Sequence, residues 1–272
     1  MNRLAQTIKE TRVAPGSVAI FWLGQAGFVF KSPAGAVLYI DPSLTKSVER
    51  RLPHEGFGFK RIMPTPIECE EVEADLVAVT HLHEDHYDQD AIPILGRDAR
   101  IHFIGAPDCQ SMFERDAPAG GFTTLHPGES YSLADLSLTA VFADHGNAAP
   151  LAQGYVLTVG AIKVWQTGDT AYRPDRWQEL FKLGIDVLLP PINGAYGNLN
   201  SVEAAQLAHA AGVKVVIPCH YWMFVEHHGD PGEFMEACKQ YAPEVEAHLM
   251  SQGELFVYHK PLVPRGRPRR RI

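Results

Sequence analysis

The chain has 272 residues, of which 46% are apolar and 21% charged, with a formal charge of −8. This is ordinary globular composition with length enough to bury a large core, and it excludes a disordered, collagenous or coiled-coil protein. No apolar run is long enough to span a bilayer, and the acidic balance lacks the basic footprint of a long nucleic-acid binder, so the expected partner is a small molecule.

Short β-rich runs broken by turn residues dominate the first two thirds. Val18 to Leu23, Phe28 to Lys31 and Ala36 to Ile40 read as strands of an antiparallel meander, joined by Gly24-Gln25-Ala26-Gly27 and Ser32-Pro33-Ala34-Gly35. Thr45 to Glu73 is rich in Pro, Gly and charge and reads as a loop over a site. Asp75 to Thr80 and Arg100 to Ile104 follow as strands, then Ser137 to Phe142, Tyr155 to Val159 and Ile162 to Gln166 as a second antiparallel group. Beyond it strands and helices alternate. Pro174 to Leu183 reads as a helix and Asp186 to Leu189 as a strand. Ser201 is the expected N-cap of a helix over Val202 to Ala211, stopped by Gly212. Val213 to Ile217 reads as a buried strand and Pro231 to Tyr241 as an amphipathic helix. The pattern predicts helices packed outside two sheets in one domain over 1–260.

Residues 261–272 form a basic tail with five arginines, expected to be disordered. Its Leu262-Val263-Pro264-Arg265-Gly266 looks like a vector-derived thrombin-cleavage sequence, the alternative being a native basic tail. The polar residues Met1 to Gln6 do not resemble a secretory signal, so the expected location is cytoplasmic. Cys69, Cys109, Cys219 and Cys238 form no C-x-x-C pair and read as buried thiols in a reducing compartment.

The strongest chemical signal is Thr80-His81-Leu82-His83-Glu84-Asp85-His86-Tyr87-Asp88, directly after an apolar strand. Three histidines and a carboxylate at a strand end supply the donors that suit zinc, manganese or iron. His81 and His83 can share one side of an extended segment, while Asp85 and His86 face a second point. One loop cannot close two sites. His145, Asp169 and His220 each end a predicted strand and offer the missing donors.

H-x-H-x-D-H followed by separate His, Asp and His positions resembles the metallo-β-lactamase superfamily. The resemblance implies a four-layer αββα sandwich of two mixed sheets with helices outside, holding two divalent ions, Zn or Mn, with Fe as an alternative. It further implies that His81, His83 and His145 hold the first ion, that Asp85, His86 and His220 hold the second, and that Asp169 bridges them; Asp144 competes with His145 for its place. Ala14-Pro15-Gly16-Ser17, Trp22 to Gly27, Gly168-Asp169-Thr170 and Lys214 to His220 are similar to the L-ascorbate-6-phosphate lactonase branch. The chain is shorter than that branch, and His145 departs from it.

The implied chemistry is hydrolysis by a hydroxide shared between two ions, with Asp85 as the proton carrier. Histidine at position 83, rather than glutamate, favours hydrolysis over di-iron redox chemistry. The leading expectation is the opening of a lactone, of a sugar acid or its phosphate; phosphodiester cleavage is the runner-up, and a metal-binding protein with little catalysis is the reading from another class. Asn193, Tyr196, Asn198, Tyr221 and His228 are the candidate substrate contacts, each weighed against a structural turn, core packing or a surface position. His227 reads as one of a surface pair with His228, and His54, His102, His126 and His209 as non-ligands. The lactonase resemblance also suggests a homo-oligomer.

Overall fold

The computed structural model describes residues 2–52 and 58–260. His54 and the basic tail lie outside them. Each element follows from a local sequence cause. The first helix, α1 (Arg3–Glu10), buries Leu4, Ala5 and Ile8 on one face, and the Asn2 side chain accepts from Leu4 N at 2.8 Å. The meander then forms as expected, from β1 (Ser17–Gly24), β2 (Gly27–Lys31) and β3 (Val37–Ile40), in antiparallel register. The loop region beyond β3 contains a short helix, α2 (Ser47–Arg51).

From there β4 (Leu76–Val79), α3 (Ile92–Leu95), β5 (His102–Gly105), α4 (Gln110–Asp116) and β6 (Phe122–Thr124) extend the first sheet with parallel pairs. The second sheet opens with β7 (Ser130–Leu133), β8 (Leu136–Phe142), β9 (Gln153–Val159) and β10 (Ile162–Gln166), all antiparallel. It continues in parallel through α5 (Gln178–Phe181), β11 (Val187–Leu189), α6 (Ser201–Ala211), β12 (Val215–Val216), α7 (Pro231–Tyr241) and β13 (Glu246–Ala247). The last strand, β14 (Leu255–His259), returns to the first sheet beside β1.

The sheet orders are β14-β1-β2-β3-β4-β5-β6 and β13-β12-β11-β10-β9-β8-β7. Both sheets therefore have an antiparallel half and a parallel half. This is the α/β arrangement of two mixed sheets with helices outside that the resemblance implies. Side-chain alternation builds it: in β1, Val18, Ile20 and Trp22 pack between the sheets, while Ala19, Phe21 and Leu23 pack beneath the outer layer with α1. On the far side Ala204, Leu207 and Ala208 of α6 join Phe234 and Ala237 of α7.

Several boundaries differ from the sequence reading: the strand expected over Val213 to Ile217 contracts to Val215–Val216, and that over Arg100 to Ile104 shifts to His102–Gly105. The helix expected from Pro174 contracts to α5, with only turns before it. The N-cap of α6 is Asn200 rather than Ser201: its side chain accepts from Glu203 N at 2.9 Å, and Glu203 accepts from Asn200 N at 3.1 Å. That reciprocal capping box satisfies two donors, which Ser201, one residue later, could not do in the same way.

The sheets are stitched together at one end. Gln166 Nε2 donates to Ala26 O at 2.6 Å, and Tyr155 Oη donates to Val79 O at 2.8 Å. Those bonds tie the end of β10 to the β1–β2 turn and β9 to the end of β4, where the candidate site lies. Leu38, fully buried between the sheets, tests the packing. Leu38→Ala is expected to lower unfolding stability by about 2–5 kcal/mol, read as a lower urea midpoint with an unchanged slope.

Candidate metal centre

The loop after β4 is anchored from below. Asp41, one residue past β3, accepts from Thr80 N and Thr80 Oγ1, each at 2.8 Å. Asp88 closes the loop, accepting from Leu44 N at 2.9 Å, Thr45 N at 2.7 Å and Ala91 N at 3.1 Å. Between them His86 N and Tyr87 N both donate to His83 O, so the chain turns and His81, His83, Asp85 and His86 converge instead of alternating.

Three side chains close on this loop from the second sheet. His145 follows β8, and its Nε2 lies 3.2 Å from His83 Nδ1. Neighbouring Asp144 turns away to pair with Arg173, so the histidine alone reaches the cluster. Asp169 follows β10 and places Oδ1 3.3 Å from His86 Nε2 and Oδ2 3.1 Å from His220 Nε2. His220 follows β12 with φ +61°, a strained left-handed conformation for a side-chain-bearing residue. The predicted donors thus meet in one place: His81, His83 and His145 form one group, and His81, His86 and Asp169 a second.

A third group, Asp85, His220 and His227, includes a residue that sequence reasoning placed at the surface. His227 is buried, with its ring 4.7 Å from that of His220. Only its place seven residues beyond His220 could have flagged it. Gln25 was also missed as a site residue: it is fully buried, and its Nε2 donates to Asp85 Oδ2 at 2.7 Å. Asp41 is the third, 2.8 Å from His86 Nδ1; the clue was a carboxylate directly after an apolar strand.

The predicted substrate contacts separate. Asn198 is buried and donates to Asp169 Oδ2 at 2.7 Å, so it positions a cage carboxylate. Tyr221 is buried and stacks on Trp22 at 5.0 Å, within the core. Asn193 and His228 line a separate hollow with Trp222. Tyr196 alone reaches the cavity above the cage. His102 stacks on Tyr131 at 4.7 Å, His209 pairs with Glu244, and His126 is exposed, all apart from the cluster.

The donor set fits cations. Apart from half-buried His83, the groups are buried nitrogens and oxygens, the ligands that hold Zn, Mn or Fe. His86 Nε2 and Asp169 Oδ1 are buried without a hydrogen-bond partner. Asp41 sits behind His86 as carboxylates sit behind metal-binding imidazoles, fixing ring orientation.

Electrostatics within the cage are strongly coupled. Burial opposes charge on Asp85 and Asp169, but facing histidines outweigh it and hold both well below the usual carboxylate range. Burial also opposes charge on His220, yet Asp169 and Asp85 raise it to about 9. Burial, reinforced by His220, pushes His227 down to about 4. Burial likewise lowers His81 and His145.

Residues 19–220 match the family described as the beta-lactamase superfamily domain. The chain belongs to the metallo-β-lactamase superfamily. A UPF0173 metal-dependent hydrolase from Rubrobacter xylanophilus is 29% identical over 255 residues, covering 88% of this chain and 96% of that protein. One of the same name from Archaeoglobus fulgidus is 29% identical over 258 residues, covering 89% and 99%. Among solved structures, Igni18, a metallo hydrolase from Ignicoccus hospitalis, superposes with a TM-score of 0.71 at 22% identity, covering 90% of this chain and all of that one. This superfamily member also has no described helix long and apolar enough to cross a membrane.

Two measurements test the cage. The metal-stripped protein is expected to be most stable near pH 6.5. Above that, the unfolded His220 gives up its proton first, and its contribution is lost as the pH rises through about 9. Below it, unfolded His227, His81 and His145 take up protons that the fold excludes, and under about pH 4 Asp85 and Asp169 add to the loss. Melting temperature against pH in EDTA reads this; a maximum above pH 8 contradicts it. At Gly168, φ is +63° and an added Cβ would lie 2.6 Å from Gln153 O. Gly168→Ala is expected to cost about 1–3 kcal/mol and to displace Asp169, read as a lower melting temperature.

Proposed function

We propose that this metal-dependent hydrolase opens small, uncharged lactones at the His/Asp cage. The cavity above the cage carries the reading. Its volume is about 290 Å³, with Leu52, Phe59, Tyr196 and Ala148 forming apolar and aromatic walls over His83 and Asp85. No lysine or arginine lines it among the described residues. A phosphorylated substrate would need a cation on the wall, so the lining supports an uncharged ester over L-ascorbate 6-phosphate itself.

In this reading His81, His83 and His145 would hold one divalent ion and Asp85, His86 and His220 a second, with the Asp169 carboxylate available to either set. Such an ion pair would polarise the acyl oxygen and bring the pKa of a bound water to roughly 7. Asp85 accepts the proton of the attacking water and returns it to the ring oxygen as the acyl C–O bond breaks, giving one open-chain hydroxy acid. Asn198 aims Asp169, and Asp41 aims His86. The walls of Phe59 and Tyr196 keep bulk water from the acyl carbon.

The test is hydrolysis by stripped protein reloaded with Mn²⁺ or Zn²⁺, across neutral lactones, phosphorylated lactones and phosphodiesters. Neutral lactone opening, reduced at least about a hundredfold in Asp85→Ala, is expected. Phosphodiester cleavage without lactone opening overturns the reading. Asp41→Ala is expected to weaken metal binding about 10–100-fold, measured by equilibrium dialysis.

A further inference from the structure

One part of the cage has more donors than the two-ion reading uses. Gln25 sits in the turn between β1 and β2 with φ +52°. Its backbone oxygen accepts from Trp22 Nε1 at 3.0 Å and from His220 N at 2.9 Å, so the residue is pinned to both sheets. Its amide nitrogen lies 2.7 Å from Asp85 Oδ2, 2.6 Å from His227 Nδ1 and 3.2 Å from His220 Nε2. Two amide hydrogens thus face three acceptors, and a histidine nitrogen that carries hydrogen would repel them. Gln25 Oε1, meanwhile, is buried with no partner.

The acceptors are close to one another as well. Asp85 Oδ2 lies 3.3 Å from His220 Nε2 and 3.9 Å from His227 Nδ1. The His227 ring is fixed edge-on by Phe224 at 5.1 Å and Phe59 at 5.7 Å, with Nδ1 toward Gln25. The amide nitrogen therefore faces converging buried lone pairs, and a divalent cation seated among these side chains satisfies them better than a donor with two hydrogens.

We propose that Gln25 and His227 join Asp85, His86 and His220 in the donor set of the second cation, the carboxamide turning its oxygen to the ion. Half a turn about the last side-chain torsion exchanges nitrogen for Oε1 without moving the backbone. The orphaned oxygen then gains a partner, and His227 Nδ1 supplies a neutral nitrogen. The proposal rests on the reading of the cage as a two-ion centre and gives the second ion a ligand set drawn from both sheets. The first ion, at His81, His83 and His145, shares none of these side chains.

Stoichiometry and affinity decide it. Stripped protein is dialysed against graded Zn²⁺ or Co²⁺, bound metal is counted by elemental analysis, and the Co²⁺ absorption bands are followed. Wild type is expected to bind two ions. Gln25→Leu and His227→Ala are expected to keep the first at wild-type affinity, weaken the second at least about tenfold and alter only the second ion's bands. Gln25→Glu, of the same size, is expected to tighten the second ion. Wild-type affinity for the second ion in Gln25→Leu or His227→Ala overturns the proposal while leaving the two-ion centre intact. If those variants lose their fold by circular dichroism, Gln25→Glu decides, and no change in its second ion overturns the proposal. A wild-type protein that binds no ion overturns the two-ion reading, and the proposal with it.

Discussion

Burying a dense set of imidazoles and carboxylates is the constraint on which the rest of this structure depends. Each such group loses hydration on burial and must be paired or held. The fold meets that need with a second ring of polar partners. Asp41 supports His86, Gln25 supports Asp85, and Asn198 supports Asp169. These partners come from the ends of β1, β3 and the loop after β11, so the cage cannot be assembled by one segment. It requires both sheets in register, and the register is set by the inter-sheet core of Val18, Ile20, Trp22, Leu38 and Leu157.

Backbone strain follows the same geography. Among the described residues, Gln25, Asp41, Tyr196, His220, Trp222 and His228 have positive φ, and only Ala134 of the non-glycine residues with that feature lies in a distant hairpin. Left-handed conformations at such residues persist only where the surroundings over-determine them. Here the over-determination is visible: His220 N donates to Gln25 O at 2.9 Å, so two strained residues fix each other across the sheets. Stitched sheet ends hold the donors in place.

How much of this was legible in the sequence depends on where each signal sits. Buried strands read clearly, because Val18 to Leu23 and Asp75 to Thr80 combine apolar side chains with flanking turns. The cage core read as clearly, because His81, His83, Asp85 and His86 crowd one strand end. β7 did not, since Ser130 and Ser132 alternate with Tyr131 and Leu133 on a half-exposed edge. β14 was missed although Leu255 to His259 alternates well, because its partner, β1, lies more than two hundred residues earlier. His227 and Gln25 share that difficulty: their meeting at 2.6 Å spans 202 positions and leaves no local pattern. Asn198 was flagged for the right neighbourhood and the wrong contact, since a polar loop near a site does not say which way its amides point.

The distance between cage and substrate wall explains why chemistry is easier to read here than specificity. The cage is built from strand ends, whose positions are fixed by two sheets and a continuous core. The wall is built from Leu52 and Phe59 beyond α2 and from Tyr196 after β11, all on connecting segments. Phe59 and Tyr196 lie 6.5 Å apart by ring centroid, and each stands 5.7 Å from His227. The same histidine that reaches toward Asp85 therefore also braces the aromatic wall. A change at His227 acts on both, which links the geometry around Asp85 to the shape of the space above it.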